Sequence, residues 1–113
     1  MKKDIKDLPQ VLIELIKSQN EKDSGTFASC FDKGATVHDE GQTYTGSSEI
    51  KSWNKETTGK YDTYIKAQQY EDNAAGHIVK FQVSGNFEGS PIDLKYHFEI
   101  SGDLIRKLTI TSA

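Results

Sequence analysis

The spacing of apolar residues predicts an amphipathic helix near the start of the chain. Leu8, Val11 and Leu15 recur at intervals of three and four residues, so one face of a helix would carry them. Asp7 is expected to cap this helix at its N-terminus. Pro9 would then lie in the first turn, where proline is tolerated.

Two further helices are predicted before the middle of the chain. The second would span residues 24–31, with Asp23 as its cap and Gly34 as its stop signal. The third would span residues 46–59 and end at its own glycine. Its expected buried face consists of Ile50, Trp53, Asn54 and Thr57.

Apolar and polar residues alternate along much of the remaining chain, which is the pattern of half-buried strands. A short hairpin is expected over residues 35–45, with its turn at Glu40-Gly41. Four longer strands joined by short turns should then form an antiparallel meander. These strands are predicted at residues 63–71, 77–87, 92–100 and 104–111, with the first turn at Asp72-Asn73.

The order of these elements predicts one α+β domain over residues 1–113. About three helices in the N-terminal half would pack over the concave face of a curved antiparallel sheet. A curved sheet with helices across its mouth tends to enclose a cavity, and such a cavity is the usual position of a ligand site.

Charge and hydropathy exclude several classes of function. The formal net charge is -3 and the basic residues are scattered, so no nucleic-acid partner is predicted. The longest apolar run, near residues 11–16, is too short to span a bilayer, and the N-terminus lacks the apolar core of a signal peptide. A cytoplasmic protein is therefore expected. The single cysteine, Cys30, allows no intrachain disulfide and is interpreted as a small buried residue.

Asp39 is the strongest candidate for chemistry, because the strand periodicity carries its carboxylate inward. Ala35, Val37 and Asp39 share one strand face, and the two apolar residues mark that face as the buried one. An inward carboxylate needs a hydrogen bond, a charged partner or a wet pocket. The alternative is an aspartate that binds the backbone of the adjacent Glu40-Gly41 turn.

Three stretches of sequence carry a resemblance to a known family. They are FASCFDKGATVHDEG at residues 27–41, TGSSEIKSW at residues 45–53 and FEISGDLIRKLTI at residues 98–110. With them the whole chain resembles the nuclear transport factor 2-like superfamily of cone-shaped α+β barrels, which includes ketosteroid isomerases and SnoaL-like polyketide cyclases. The resemblance implies a homodimer through the outer sheet face. That face would present Lys80, Gln82, Ser84, Lys95, His97, Lys107, Thr109 and Thr111.

The resemblance also implies one retained catalytic position and two replaced ones. Ketosteroid isomerases place a general base at the end of the first strand, where this chain has Asp39. Their oxyanion donors are a tyrosine of the first helix and a protonated aspartate of the penultimate strand. The matching positions here are Leu15 and Tyr96. A base without preorganised donors lacks what is often the largest catalytic contribution, which weighs against steroid isomerisation.

A small-molecule pocket around Asp39 is the favoured functional interpretation. A small apolar or cyclic ligand would bind there. If the protein is catalytic, it is expected to be an isomerase or cyclase-like enzyme with Asp39 as acid/base. The alternative is a non-catalytic dimerisation or protein-interaction module of the same fold. No cofactor and no metal is predicted, because His38 and Glu40 supply two ligands on one strand face and catalytic zinc usually needs three. The residues expected to line the pocket are Leu15, Tyr44, Trp53, Phe81, Tyr96 and Phe98. For Tyr44 and Trp53 the alternative role is plain core packing.

Overall fold

A curved, unclosed sheet dominates the computed structural model, which describes residues 2–74 and 76–113. Within those residues the sheet has seven strands, in the order β1-β4-β5-β6-β7-β2-β3. The strands are β1 (Lys2–Lys3), β2 (Phe31–Asp39), β3 (Gln42–Thr45), β4 (Tyr64–Asn73), β5 (Gly76–Ser84), β6 (Ile92–Ser101) and β7 (Leu104–Ser112).

The predicted antiparallel meander is confirmed for the four long strands β4 to β7. The hairpin of β2 and β3 is also confirmed, with Asp39 opposite Gln42 next to the turn. One sheet contact differs from the prediction, because β2 and β7 pair in parallel. Short turns force consecutive strands to be antiparallel, but β2 and β7 are far apart in sequence and no turn sets their relative direction.

Three α-helices lie in the N-terminal half of the described chain, as predicted. They are α1 (Gln10–Asn20), α2 (Ser24–Ser29) and α3 (Gly46–Tyr61), and a single 3-10 turn (Ile5–Asp7) precedes them. Within the described residues, no helix is long enough and apolar enough to cross a membrane.

The prediction that Asp7 caps the first helix is wrong. The N-cap of α1 is Pro9, and Asp7 closes the preceding 3-10 turn, which Asp4 caps by accepting a hydrogen bond from the Lys6 amide at 3.0 Å. The reason is steric. A residue before proline is disfavoured in the helical region, so Leu8 is extended and the helix begins only after Pro9.

Helix α2 is shorter than predicted, although its cap is the predicted one. Asp23 accepts a hydrogen bond from the Thr26 amide at 3.1 Å. The helix ends at Ser29, and strand β2 begins at Phe31, so Gly34 lies inside a strand and is not a stop signal. Pairing with β7 provides an alternative set of backbone hydrogen bonds from this point, and local helical propensity gives way to it.

Two further boundaries move away from the predicted positions. Helix α3 continues past Gly59 to Tyr61, whose ring packs edge-on against Phe87 with centroids 5.9 Å apart. The residues of the predicted Asp72-Asn73 turn are the last two of strand β4, paired with the start of β5. Cross-strand pairing therefore extends further than the polar character of these residues indicates.

The core lies between the helices and the inner face of the sheet. Alternate residues of β2 and β5 point into it, as the two-residue period predicts, so that Val37, Val79 and Phe81 are fully buried. Helices α1 and α3 contribute Leu12, Leu15 and Ile50 to the same core. One end of this layer is incompletely filled, and the candidate site lies there.

Candidate functional site

A cavity of about 220 Å³ lies between helix α3, the end of α1 and the inner face of the sheet. Its sheet wall is at the end of β5 and the start of β6, where Val83 is paired with Ile92. The cavity wall includes apolar and polar side chains. Its apolar residues include Val83, Phe87, Ile92, Leu94 and Ile110, and its polar residues include Gln19, Asp39, Asn54, Thr58, Thr63 and Tyr96.

Asp39 reaches this cavity from the end of β2, where the strand alternation places it on the same face as buried Ala35 and Val37. The turn that follows has positive φ at both central residues, 52° at Glu40 and 77° at Gly41, as a tight two-residue hairpin requires. The hairpin therefore fixes the direction in which the Asp39 side chain leaves the sheet.

The Asp39 carboxylate is hydrogen-bonded to a helix across the cavity. Trp53 of α3 donates its indole N–H to Oδ2 of Asp39 at 3.2 Å. Burial raises the pKa of Asp39, and the negative charge of Glu40 adds to that rise, while the Trp53 hydrogen bond opposes it. The result is a carboxyl group of raised pKa whose orientation is held by an aromatic donor, which suits a general acid or base.

Trp53 belongs to both the core and the cavity. Its ring packs against Phe27 at 6.0 Å and against Tyr44 at 5.7 Å, and only 8% of the residue is exposed. Tyr44 borders a separate surface cleft together with Trp53, and the cavity wall does not include it. Tyr44 therefore supports Trp53 and is not part of the cavity wall.

Tyr96 of β6 is the second titratable group of the cavity with a shifted pKa. Burial raises the pKa of its phenol, and the nearby Asp39 carboxylate raises it further, while a hydrogen bond from Gln19 acts in the opposite direction. The ring is fixed by edge-to-face packing on Phe81, with centroids 4.7 Å apart. Because the phenol stays protonated, Tyr96 can donate a hydrogen bond.

The structure brings together three of the predicted site residues, Asp39, Trp53 and Tyr96, on one cavity. Leu15, Phe81 and Phe98 are instead packed in the core, where each is at most 1% exposed, and the cavity wall does not include them. The sheet register explains the position of Phe98. Phe98 is paired with His77 at the start of β5, whereas the cavity lies at the other end of that strand.

Four buried polar residues of the cavity wall were not predicted as site residues: Gln19, Asn54, Thr58 and Thr63. A sequence signal existed for three of them. Gln19 lies four residues after buried Leu15 on α1, and Asn54 and Thr58 lie four and eight residues after buried Ile50 on α3. A polar residue at a buried helical position is informative, because burial is costly without a partner. Thr63 follows the end of α3 and has no such signal.

The histidines of the described chain each have a local partner. His38 is hydrogen-bonded to Thr43 at 3.0 Å, His77 to Tyr70 at 2.8 Å, and His97 to Thr111 at 2.9 Å. Within residues 2–74 and 76–113, no three acidic, histidine or cysteine residues are grouped as metal ligands would be.

Comparison with known proteins gives structural matches. No protein-family model and no curated protein matches the sequence. Among solved structures, a protein named as a proposed polyketide cyclase from Sinorhizobium meliloti is 26% identical, with a TM-score of 0.90, and the match covers 96% of this chain and 100% of that chain.

Two more distant structures share the same fold. A protein with a ketosteroid isomerase-like fold from Catenulispora acidiphila, solved with trimethylamine, has a TM-score of 0.80 at 14% identity and covers 93% of this chain and 86% of its own. A nuclear transport factor 2-like (NTF2-like) protein of unknown function from Cytophaga hutchinsonii has a TM-score of 0.75 at 12% identity, covering 91% and 87%.

The curved sheet with helices over one face defines the α+β cone class of folds. The chain has the fold of nuclear transport factor 2-like and ketosteroid isomerase-like proteins, as the sequence resemblance predicted. This assignment rests on the fold of nearly the whole chain. It leaves the ligand and the reaction to be argued from the cavity.

Proposed function

We propose that this protein binds a compact cyclic molecule in the cavity and transfers a proton with Asp39, as an isomerase or cyclase-like enzyme. The observation that carries the proposal is the Asp39 carboxylate, which faces the cavity, has a raised pKa and is oriented by the Trp53 indole. A structural aspartate at a hairpin would more simply point to solvent or bind the turn. The fold shared with a proposed polyketide cyclase is consistent with this chemistry.

The size of the cavity limits the ligand to about one ring. Its volume is about 220 Å³. A cavity of about 150 Å³ suffices for benzene, and sites for drug-sized ligands begin at about 300 Å³. This volume therefore suits a single substituted ring, and a four-ring steroid would extend beyond it.

The proposed reaction needs a base and a hydrogen-bond donor on the same cavity. The Asp39 carboxylate would take a proton from a carbon next to a carbonyl group, so that the C–H bond breaks and a carboxylic acid forms. The electron pair moves to the carbonyl oxygen, and the protonated Tyr96 phenol donates a hydrogen bond to the resulting enolate. In a ketone with a β,γ double bond the enolate is conjugated with that double bond, so return of the proton from Asp39 to the γ carbon, with re-formation of the carbonyl, gives the conjugated isomer.

Proton exchange on a single-ring ketone tests this proposal without knowledge of the natural substrate. Cyclohexanone in D2O at neutral pH should lose its α-proton NMR signals faster with the protein than in buffer. Asp39→Asn should reduce this enhancement by at least about 100-fold, since a positioned base typically contributes that much. Asp32→Asn, an exposed change at the other end of β2, is the matched control and should keep the full rate.

Two outcomes would contradict the proposal. One is a wild-type rate equal to that of buffer, and the other is an Asp39→Asn rate equal to that of the wild type. Circular dichroism of each variant separates lost chemistry from lost folding.

We also propose a homodimer through the outer sheet face. In the monomer this face carries mixed charges that are partly paired within the chain, such as Lys80 with Asp93 at 3.7 Å and Lys107 with Glu99 at 3.9 Å. Light scattering at micromolar concentration should give twice the chain mass of 12.6 kDa. A particle of monomer mass would exclude the dimer at that concentration.

A further inference from the structure

Two polar atoms at the cavity have no hydrogen-bond partner among the described residues. They are Oε1 of Gln19 and Oγ1 of Thr63. Gln19 is 6% exposed and Thr63 is 4% exposed, so water does not solvate them freely. Most buried polar side-chain atoms in proteins have a partner, and an exception calls for a functional explanation.

Other buried polar groups on the same wall are hydrogen-bonded. Ser24 donates to the side-chain oxygen of Asn54 at 2.9 Å, and Thr58 donates to the Asn54 backbone carbonyl at 2.8 Å. The fold therefore satisfies these polar groups and leaves two atoms unpaired at the junction of α1 and β4, Gln19 Oε1 and Thr63 Oγ1. The contrast points to the junction as the place where a ligand supplies the missing partner.

Side-chain hydrogen bonds to backbone groups hold this junction together. The side-chain amide of Asn20, next to Gln19, donates to the Ile65 carbonyl at 2.9 Å and accepts from the Ile65 amide at 2.8 Å. Lys22 Nζ donates to the carbonyl of Thr63 itself. These bonds fix the backbone beside Gln19 and at Thr63, which limits the conformational cost of binding at this junction.

We propose that Gln19 and Thr63 form a hydroxyl-binding subsite, so that the ligand of this cavity is a single-ring molecule carrying an alcohol or phenol group. The inference rests on the proposed function only in taking this cavity as the ligand site. An amide oxygen accepts hydrogen bonds and a threonine hydroxyl can donate one. A ligand hydroxyl satisfies both, because its hydrogen goes to Gln19 Oε1 while its oxygen accepts from Thr63.

The subsite also sets the orientation of the ligand. Gln19 and Tyr96 both line the cavity, and Gln19 acts on the pKa of the Tyr96 phenol, so the subsite adjoins the group proposed to stabilise an enolate. Asp39 enters the cavity from a different element, the end of β2. A ligand whose hydroxyl is held at the α1–β4 junction would therefore present another part of its ring to Asp39.

Two probes of nearly the same shape test the subsite. 4-Methylphenol and p-xylene differ in one hydroxyl group, and their affinities can be measured by NMR titration at neutral pH. The wild-type protein should bind 4-methylphenol about 5- to 10-fold more tightly, the gain expected for about one net hydrogen bond. Thr63→Val and Gln19→Met keep side-chain size and should reduce the preference to less than about twofold.

Matched measurements distinguish the possible outcomes. Thr57→Val, on the cavity wall but outside the subsite, should keep the full preference. Without ligand, Thr63→Val should melt at a higher temperature than the wild type, because it removes an unpaired buried hydroxyl. A threonine with a purely structural role would instead make the variant melt lower.

Three results would overturn the inference. If both subsite variants still prefer 4-methylphenol to p-xylene as the wild type does, the inference is wrong. A preference lost only in Asp39→Asn assigns the hydroxyl to Asp39, which overturns the subsite and leaves the proposed function intact. Failure of both probes to bind the wild type overturns the subsite together with the cavity as a ligand site, whereas exchange of cyclohexanone protons tests Asp39 separately.

Discussion

The indole N–H of Trp53 donates to the carboxylate of Asp39 at 3.2 Å, and this bond joins helix α3 to the end of strand β2. The same indole ring packs between Phe27 and Tyr44 in the core. The position of the candidate base is thereby coupled to the packing of the fold, because the donor cannot move without disturbing two aromatic contacts. Preorganisation of this kind is what a proton-transfer site requires.

Replacement of Trp53 by phenylalanine should raise the pKa of Asp39. The indole hydrogen bond opposes the effect of burial, so its removal leaves the desolvation effect less compensated. The free energy of unfolding should fall by about 1–3 kcal/mol at neutral pH, because a hydrogen bond to a charged group is lost. Titration of the carboxyl carbon by NMR measures the pKa directly.

Tyr44→Phe is the matched control for that experiment. It keeps the aromatic contact with Trp53 and lies away from the cavity, so the pKa of Asp39 should stay at its wild-type value. An unchanged pKa in Trp53→Phe would show that the hydrogen bond does not govern the charge state of Asp39.

Replacement of Asp39 by asparagine should stabilise the protein at neutral pH and have little effect in acid. The folded-state pKa of Asp39 lies above its ordinary value of 3.8, so the folded protein holds this proton more tightly than the unfolded chain does. The associated stability is fully present below the ordinary value and is lost as the pH rises through the folded-state pKa. Asparagine does not ionise and avoids this loss.

Urea unfolding at about pH 3.5 and about pH 7.5 measures this difference. The advantage of Asp39→Asn over the wild type should increase between the two values. A stability difference of the same size at both would mean that Asp39 titrates as it does in an unfolded chain. Asp32→Asn, at an exposed position, should show no comparable increase.

Replacement of Asn20 by alanine should destabilise the junction of α1 and β4. The Asn20 amide satisfies both backbone groups of Ile65, and alanine leaves these partly buried groups unpaired. A loss of about 1–3 kcal/mol in the free energy of unfolding is expected. Asn86→Ala, at an exposed position, is the control and should change stability by less than about 0.5 kcal/mol. Equal losses in the two variants would assign no special role to the junction.

The single thiol should be unreactive in the folded protein. Burial raises the pKa of Cys30 to about 11, and only 3% of the residue is exposed. Reaction with a thiol reagent requires the thiolate, so at neutral pH labelling should be slow and should accelerate sharply through the unfolding transition in urea. Rapid labelling without denaturant would contradict the assignment of Cys30 as a core residue.

Local sequence was sufficient for the hairpin and for the inward direction of Asp39. A two-residue period and a Glu40-Gly41 turn are properties of neighbouring residues, and the strand places Val37 and Asp39 on one face whatever covers them. The end of α2 was not predictable in the same way. Phe31 leaves the helical pattern because β7, more than seventy residues later in the chain, offers it a strand partner.

The hydrophobic period also identified inward residues without saying which of them reach a cavity. Phe81 and Tyr96 are both buried residues on the inner sheet face, yet only Tyr96 lies on the cavity wall. Their roles depend on where the helices cover the sheet, which is decided by packing between distant segments. The same holds for Thr63, because the environment of its hydroxyl depends on the position of α1 beside it.

The chain by itself thus determined the α+β architecture, the β4–β7 meander and the side of the sheet on which Asp39 lies, because these follow from short-range periodicity and turn chemistry. The tertiary structure decided the parallel pairing of β2 with β7, the Trp53–Asp39 hydrogen bond and the position of the cavity. These features depend on contacts between residues far apart in sequence, and a volume left unfilled by such contacts leaves no periodic signal in any one segment.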